Sequence, residues 1–243
     1  MKDFVACGKN GCVNGWLIDD INGMSKHCEC RKGYDTEAML LDAGIPADYI
    51  GKTLDGFNPK NEWESGHVAD FKNYVDSFSE RLIDGKGFFL FGKTKRIGKT
   101  HCAVAMARDI LLKNYNIKAP VQWVYYVNVS ELFEMLWTKI SIEKGNNPSG
   151  NPELAKMNVV IDKIKTCKLL ILDDIGVTRK TDFVTNTLYT MVEYRTANNL
   201  PIIATSNCTL AQINLAYGED GERIAKRLKE KVRAKEFYGN GGK

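Results

Sequence analysis

The feature that most constrains the fold is a regular alternation of apolar strands and helical segments after residue 86. The strand-like segments are "GFFLFG" at 87–92, "VQWVYYV" at 121–127, "KLLILDD" at 168–174 and "PIIATSN" at 201–207. Helical patterns lie between them, over His101–Lys113, after Asn128, after the polar loop at 144–152 and over 183–197. Strands that alternate with helices predict an α/β fold, in which a parallel sheet is flanked by helices on both faces.

The first of these strands runs into a loop typical of phosphate binding. Such loops have a glycine, four residues of any type, and then Gly-Lys-Ser or Gly-Lys-Thr. Here five residues separate Gly92 from Gly98-Lys99-Thr100, one more than usual. Because the loop opens a helix, its N–H groups and the helix dipole favour phosphate oxygens. The nucleotide-binding residues predicted from this segment are Gly92, Ile97, Gly98, Lys99, Thr100 and His101.

Polar residues end two later strands, at the edge of the sheet where ligands bind in this class. Asp173 and Asp174 close "LLILDD", and Asn207 closes "IIATSN". We expect Lys99 to reach the β- and γ-phosphates, while the Thr100 hydroxyl and Asp173 serve Mg²⁺. Asp174 is expected to orient or deprotonate the attacking water, and Asn207 to contact that water or the γ-phosphate. The sequence thus predicts ATP binding and hydrolysis.

The extra loop residue leaves two outcomes open. The loop bulges at Lys93-Thr94-Lys95 while its last four residues keep their place, or the nest of N–H groups is spoiled and turnover is slow. Arg96 stands where a glycine commonly lets the backbone approach the phosphates. We expect binding to be retained, with slow hydrolysis.

A separate feature occupies the first thirty residues, which contain Cys7, Cys12, Cys28 and Cys30. Trp16-Leu17-Ile18 is strand-like, and Asn22-Gly23 favours a hairpin that returns the second cysteine pair to the first. Four convergent thiolates predict a structural zinc site, with reduced, unliganded thiols as the alternative. His27 could replace one sulfur. We place the domain boundary so that residues 1–50 form a zinc-binding module and residues 51–243 the ATPase domain.

Composition and charge limit the partners and the location that we expect for the protein. The chain has 243 residues and a net charge of +4, with basic runs in the loop at 93–96 and over 226–235. These runs allow contact with nucleic acid without requiring it. Its apolar runs are too short to cross a bilayer, and the N-terminus lacks the apolar core of a secretion signal. We therefore expect a cytoplasmic protein without a membrane partner.

Several segments together resemble the DnaC/DnaI-type helicase-loader ATPases of bacteria and their phages, which are AAA+ proteins. They are "GIPADYIGKTLDGFNP", "GKTHCAVAMA", "LLILDDIG", "LYTMVEYRTANNLPIIATSN" and "GERIAKRL", between about residues 44 and 230. The N-terminal cysteines also look like those of phage and DnaI-like members. In the family, an arginine of the last segment reaches the γ-phosphate bound by a neighbouring subunit. Arg227 matches it best, with Arg223 one turn earlier. Fifteen residues follow Leu228, so no full helical lid is expected.

The resemblance implies an ATP-switched loader that binds a replicative hexameric helicase and helps place it on single-stranded DNA. In that scheme the N-terminal module holds the helicase, and the ATPase domain self-associates through the ATP interface and contacts DNA.

Two alternatives stay open. One is a transposition helper of the IstB type, which generally lacks such cysteines. The other is an interaction protein that blocks a helicase or a loader without hydrolysing ATP.

Overall fold

The structure is a computed structural model that describes residues 7–8, 12–13, 15–18, 25–114, 123–145, 151–176 and 182–238. Its strands are β1 (Cys12–Val13), β2 (Trp16–Ile18), β3 (Ser25–His27), β4 (Gly87–Phe91), β5 (Val124–Asn128), β6 (Leu169–Asp173), β7 (Ile202–Ser206) and β8 (Val232–Glu236). Its helices are α1 (Glu29–Asp42), α2 (Ala47–Ile50), α3 (Glu62–Asp76), α4 (Phe78–Asp84), α5 (Lys99–Lys113), α6 (Val129–Glu143), α7 (Pro152–Thr166), α8 (Asp182–Ala197) and α9 (Leu210–Lys231).

The larger sheet has five strands in the order β5-β6-β7-β4-β8, and every pair of neighbours is parallel. β7 lies between β6 and β4, with Leu172 opposite Ala204 on one side and Phe91 opposite Ser206 on the other. All five strands therefore end at one edge. That edge carries the loop after β4 and the polar residues after β6 and β7, as the sequence predicts.

Two apolar cores cover the faces of this sheet, because successive strand residues point to opposite sides. Phe88 packs in the core with α3 and α5, whereas its neighbour Phe89 packs in the core with α8 and α9. Both phenylalanines are fully buried. The predicted architecture, a parallel sheet flanked by helices on both faces, is confirmed.

Some element boundaries differ from the sequence predictions. The helix expected from His101 begins two residues earlier, at Lys99, because Gly98 serves as its N-cap. The stripe of Phe71, Val75 and Phe78 is buried as expected, but a break at Ser77 puts Phe78 in the next helix. The strand expected at 121–127 runs over Val124–Asn128, and residues 121 and 122 lie outside the described residues.

The N-terminal residues form a small antiparallel sheet in the order β1-β2-β3. Trp16 pairs with His27 and Ile18 with Ser25, as expected for a hairpin. The turn predicted at Asn22-Gly23 and the side chain of His27 lie outside the described residues.

The expected boundary between residues 50 and 51 stays a prediction, but packing crosses it. Leu40 and Ile45 are buried in the same core as α5, and so is Leu54 beyond the boundary. The Tyr126 N–H of β5 also donates to the Ala43 carbonyl at 2.8 Å. The sheet core thus draws on residues that we had assigned to the zinc-binding module.

Within the described part of the chain, no helix is long and apolar enough to cross a membrane.

The buried guanidinium of Arg195 connects α8 to the C-terminal end of α7 and to the start of β7. Arg195 of α8 is fully buried, and it donates to the carbonyls of Ile164 at 2.8 Å, Cys167 at 3.0 Å and Pro201 at 2.8 Å. The first two carbonyls lie at the C-terminal end of α7, where helical carbonyls have no partner within their own helix. Pro201 leads directly into β7. Arg195 therefore fixes the end of α7 and the start of β7 to α8.

Replacing this side chain should destabilise the fold. Arg195→Met keeps the apolar stem but leaves buried carbonyls without donors, so we expect the free energy of unfolding to fall by at least about 2 kcal/mol. Urea denaturation measures this change. Arg81→Met is the control, because Arg81 makes a part-exposed contact with Asp84 at 3.9 Å and should change stability by less than about 0.5 kcal/mol. Equal losses in both variants would contradict the role given to Arg195.

Candidate nucleotide-binding site

The loop between β4 and α5 places two residues in the left-handed backbone region. Arg96 has a φ of 59° and Gly98 a φ of 100°. Left-handed residues in such a loop turn successive N–H groups toward one side, which is the geometry of an anion-binding nest. Lys93, Thr94, Lys95 and Arg96 are exposed, whereas Ile97 is buried beneath them. The residues expected to bulge are thus exposed, and the bulge itself stays a prediction.

Gly98 is required here for space as well as for conformation. A Cβ atom on Gly98 would lie 2.3 Å from Cε2 of Phe57. Phe57 in turn makes an edge contact with the ring of His101, at 5.7 Å between centroids, and the His101 Nε2 lies 2.8 Å from the carbonyl of Thr53. These contacts hold the loop's end and the first turn of α5 against residues 53–57.

Lys99 is buried, and its ammonium group is satisfied within the chain. It donates to the carbonyls of Gly92 and Thr94, both at 3.0 Å, and to Oδ1 of Asn207 at 2.9 Å. Burial lowers the pKa of Lys99 from its ordinary value. An ammonium has three protons to donate. A phosphate oxygen bound by Lys99 must therefore replace one of these three acceptors.

Asp173 is the centre of a hydroxyl network at the end of β6. Its Oδ1 accepts from Thr100 at 2.8 Å and from Thr205 at 2.6 Å, and its Oδ2 accepts from the phenol of Tyr126 at 2.7 Å. The Thr100 contact links the first turn of α5 to β6. The residues predicted to serve magnesium, Thr100 and Asp173, therefore touch one another.

Asp174 adopts an unusual backbone conformation, with a φ of 58°. Its N–H donates to the Thr205 hydroxyl at 3.0 Å, which holds this turn onto β7. Burial, with a contribution from the charge on Asp173, raises the pKa of the Asp174 carboxyl. A carboxylate with a raised pKa is a better proton acceptor from water. This geometry is compatible with the predicted role of Asp174.

These residues line one cavity of about 420 Å³. The lining residues are Tyr49, Lys52, Lys95, Arg96, Ile97, Gly98, Lys99, Thr100, His101, Asp173, Asp174 and Asn207. Gly92 contributes through its carbonyl on Lys99, and a Cβ there would lie 2.4 Å from the Phe237 carbonyl. The loop, both aspartates and Asn207 thus meet at one site.

Sequence reasoning missed four residues of this site. Tyr49 and Lys52 line the cavity, and Tyr126 and Thr205 hold Asp173. Tyr49 and Lys52 lie inside "GIPADYIGKTLDGFNP", which signals the resemblance but carries no chemical pattern of its own. Tyr126 and Thr205 carry hydroxyl groups near the ends of two otherwise apolar strands. That feature of the sequence could have pointed to both residues.

The donor set fits Mg²⁺. Carboxylate and hydroxyl oxygens are ligands that this hard cation prefers, and it is usually held by one or two carboxylates together with substrate phosphates. Thr100 and Asp173 supply one hydroxyl and one carboxylate beside the phosphate loop. They are the residues that would hold the ion.

Arg223 and Arg227 lie outside this cavity, on the side of α9 that faces α8. Arg227 pairs with Glu193, donating from Nη2 to Oε1 at 2.9 Å, and with Glu230 at 3.3 Å. The Arg223 guanidinium lies 4.8 Å from the centroid of the Tyr189 ring. The two arginines share one face, as the sequence predicts. Their action across a subunit boundary stays a prediction.

The basic run at 226–235 is divided between α9 and β8. Its last two basic residues lie in β8, where Arg233 sits 4.5 Å from the Phe88 ring centroid and Lys235 pairs with Asp70. Lys231 donates to Asn199 at 2.7 Å. Of this run, Lys226 and Lys229 are exposed on α9.

The four N-terminal cysteines converge as the hairpin predicts. All four Sγ atoms lie within 4.8 Å of one another. The sulfurs of Cys7 and Cys28 are 3.6 Å apart, as are those of Cys12 and Cys30. Four sulfurs at such separations match the ligand set of a tetrahedral structural zinc site.

Comparisons with known proteins agree with the motif resemblance. No protein-family model matches the chain. Among curated proteins, the replicative helicase loader DnaI of Bacillus subtilis (strain 168) is 27% identical over 237 residues. That alignment covers 90% of this chain and 66% of the relative, so the chain spans just under two thirds of the relative's length.

Solved structures show the same fold. A crystal structure of the DnaC helicase loader matches with a TM-score of 0.63 and 21% identity, covering 79% of this chain and 100% of that one. A crystal structure of DnaI gives 0.63 and 22%, covering 79% and 94%. AMPPCP-bound DnaA from Aquifex aeolicus gives 0.57 and 16%, covering 79% and 50%. The resemblance to DnaC/DnaI-type helicase loaders is confirmed, and the chain shares the fold of these solved structures.

The conformation of Gly98 gives a direct test of the loop. Gly98→Ala adds a Cβ against Phe57 at a left-handed φ, so we expect affinity for a fluorescent ATP analogue to fall at least about tenfold. Gly66→Ala is the matched control, because a Cβ on Gly66 meets nothing within 4 Å and Gly66 lies inside α3. It should leave affinity unchanged and stabilise the protein by about 0.5–1 kcal/mol. Unchanged affinity in Gly98→Ala would argue against phosphate binding at this loop.

Proposed function

We propose that this protein is an ATP-dependent helicase loader, which binds a replicative hexameric helicase and helps place it on single-stranded DNA. The observation that carries this proposal is the meeting of Lys99, Thr100, Asp173 and Asn207 at one edge of the sheet. The chain's similarity to the DnaI loader supports the choice of helicase loading among the activities of nucleotide-binding proteins. Such a protein would work in the cytoplasm.

Each residue of the site has a role that follows from its position. The N–H groups at 97–101 and the helix dipole of α5 hold the phosphates, and Lys99 supplies positive charge to the β- and γ-phosphates. Bound Mg²⁺ would neutralise charge that develops on the transferred phosphoryl group. Asp174 orients or deprotonates the attacking water. Asn207 contacts that water or the γ-phosphate once Lys99 releases its side-chain oxygen.

The switch between ATP and ADP states would be completed by a neighbouring copy. Arg227 offers a forked guanidinium that suits a developing phosphate charge, and Arg223 lies one turn away on the same face. Because Arg227 pairs with Glu193 and Glu230 within its own chain, it must exchange these partners to reach a neighbour's nucleotide. Binding of ATP would then favour the assembled form and hydrolysis would weaken it.

The chemistry of other parts of the chain suggests a zinc ion, the helicase and DNA as further partners. The cysteine cluster would hold a zinc ion that stabilises the N-terminal module, and that module would grip the helicase. Exposed basic side chains, among them Lys226 and Lys229 on α9, would follow a DNA backbone with salt-sensitive, sequence-tolerant binding.

A pull-down with purified replicative helicase tests the leading proposal. We expect capture of the helicase that depends on whether ATP, ADP or no nucleotide is present, and loading of the helicase onto single-stranded DNA with ATP. Lys99→Ala should lower ATP affinity at least about tenfold and abolish this nucleotide dependence. Lys93→Ala, a change at an exposed lysine of the same loop, should behave as wild type. Absence of helicase capture would favour a transposition helper. Capture without loading would favour a blocking protein.

The role of Arg227 is tested by complementation. Arg227→Ala should bind nucleotide normally but lose turnover by about a thousandfold. Lys99→Ala should also be inactive. A mixture of the two should regain part of the ATPase activity, since an intact Lys99 site would meet an intact Arg227 from the other chain. Lys226→Ala is the control for a change of charge on α9. A mixture as inactive as its components would contradict catalysis across a subunit boundary.

Metal analysis tests the cysteine cluster. Purified protein should contain one zinc ion per chain, and Cys28→Ser should lose it and unfold the N-terminal module. Cys208→Ser changes a cysteine outside the cluster and should keep the metal. Wild-type protein that is folded and free of zinc would support the alternative of unliganded thiols.

A further inference from the structure

We propose that Tyr126 is a positioning residue that orients the Asp173 carboxylate for Mg²⁺, an inference that rests on the proposed nucleotide site. Tyr126 belongs to β5, at the edge of the sheet, and does not line the cavity. Its phenol donates to Asp173 Oδ2 at 2.7 Å. It therefore acts through Asp173 and not on the nucleotide.

The hydrogen bonds of Asp173 explain why one phenol matters. A carboxylate offers about four acceptor positions, two on each oxygen. Oδ1 receives the hydroxyls of Thr100 and Thr205, and Oδ2 receives only Tyr126 among the described residues. When the Thr100 hydroxyl serves Mg²⁺ instead, Thr205 and Tyr126 remain, one on each oxygen. Two donors on opposite oxygens fix the plane of the carboxylate, whereas a single donor lets it rotate.

The backbone of Tyr126 is itself held tightly on the outer side of β5. Its N–H donates to the Ala43 carbonyl at 2.8 Å, and a Cβ on Gly44 would lie 2.9 Å from its carbonyl oxygen. On its inner side, Tyr126 is paired with Ile171 of β6. The turn at residues 43–44 thus covers the edge of the sheet at the level of Ile171, two residues before Asp173. This packing keeps the phenol aimed at the carboxylate.

The phenol is also a permanent donor at neutral pH. A tyrosine hydroxyl keeps its proton there, since the ordinary pKa of a phenol is about 10. Thr205 supports Asp173 in the same way, but it also accepts the Asp174 N–H. Tyr126 is the better probe, because we expect its hydroxyl to be removable without disturbing Asp174.

Tyr126→Phe tests this inference through binding and not turnover. The probe is a non-hydrolysable fluorescent ATP analogue, titrated with Mg²⁺ from an EDTA-treated start. Removing such a metal-supporting hydrogen bond typically costs 10- to 100-fold in metal affinity, so we expect the Mg²⁺ midpoint to rise at least about tenfold. Affinity for the analogue in EDTA should stay within about twofold of wild type. Partial unfolding would weaken binding of the analogue in EDTA as well, so the EDTA measurement separates it from a specific loss of Mg²⁺ affinity.

Tyr125→Phe is the matched control. Tyr125 directly precedes Tyr126 on β5, points to the opposite face, and packs in the core with α8 and α9. Loss of the Tyr125 hydroxyl should leave the Mg²⁺ midpoint unchanged. An unchanged midpoint in Tyr126→Phe, or an equal loss of affinity with and without Mg²⁺, would overturn the inference. If wild-type protein fails to bind the analogue under either condition, the proposed nucleotide site fails together with it.

Discussion

The hydrogen bond between the Thr100 hydroxyl and the Asp173 carboxylate is the interaction on which the site depends. It joins the first turn of α5 to the end of β6, although β4 and β6 are separated in the sheet by β7. Lys99 makes the second connection across the same gap, through Asn207 at the end of β7. Partial burial strengthens both contacts, because a hydrogen bond is electrostatically stronger where the dielectric is lower than that of water. The phosphate loop is therefore tied to two strand ends before any nucleotide arrives.

This arrangement implies an exchange of partners on binding. Lys99 donates all three of its protons within the chain, and Thr100 donates its own to Asp173. A triphosphate with Mg²⁺ offers oxygen acceptors to Lys99 and a cation to Thr100. Release of Asn207 and Asp173 from these donors would free both side chains for the roles we assign to them. The internal bonds thus keep the site ordered and set the cost that a ligand must offset.

Sequence reasoning could predict much of this molecule, because the chemistry of the site lies in short local motifs. Alternation of strands and helices predicted the parallel sheet, and the common end of its strands predicted that Lys99, Asp173 and Asn207 would meet. Their neighbours were harder to find. Tyr126 looks like one more apolar residue of a buried strand, and its contact with Asp173 depends on the register between β5 and β6. The packing of Leu40 and Ile45 against α5 was missed because no local pattern encodes a contact between distant segments.

In the proposed mechanism, a nucleoside triphosphate is bound at the edge of the sheet by the loop at 92–100. The most direct measurement is a crystal structure of the protein with a non-hydrolysable ATP analogue and Mg²⁺. We expect the phosphates to lie against the N–H groups of residues 97–101, with the Lys99 ammonium moved from Asn207 onto a phosphate oxygen. An analogue bound elsewhere, or a Lys99 that keeps all three internal acceptors beside a bound analogue, would contradict it.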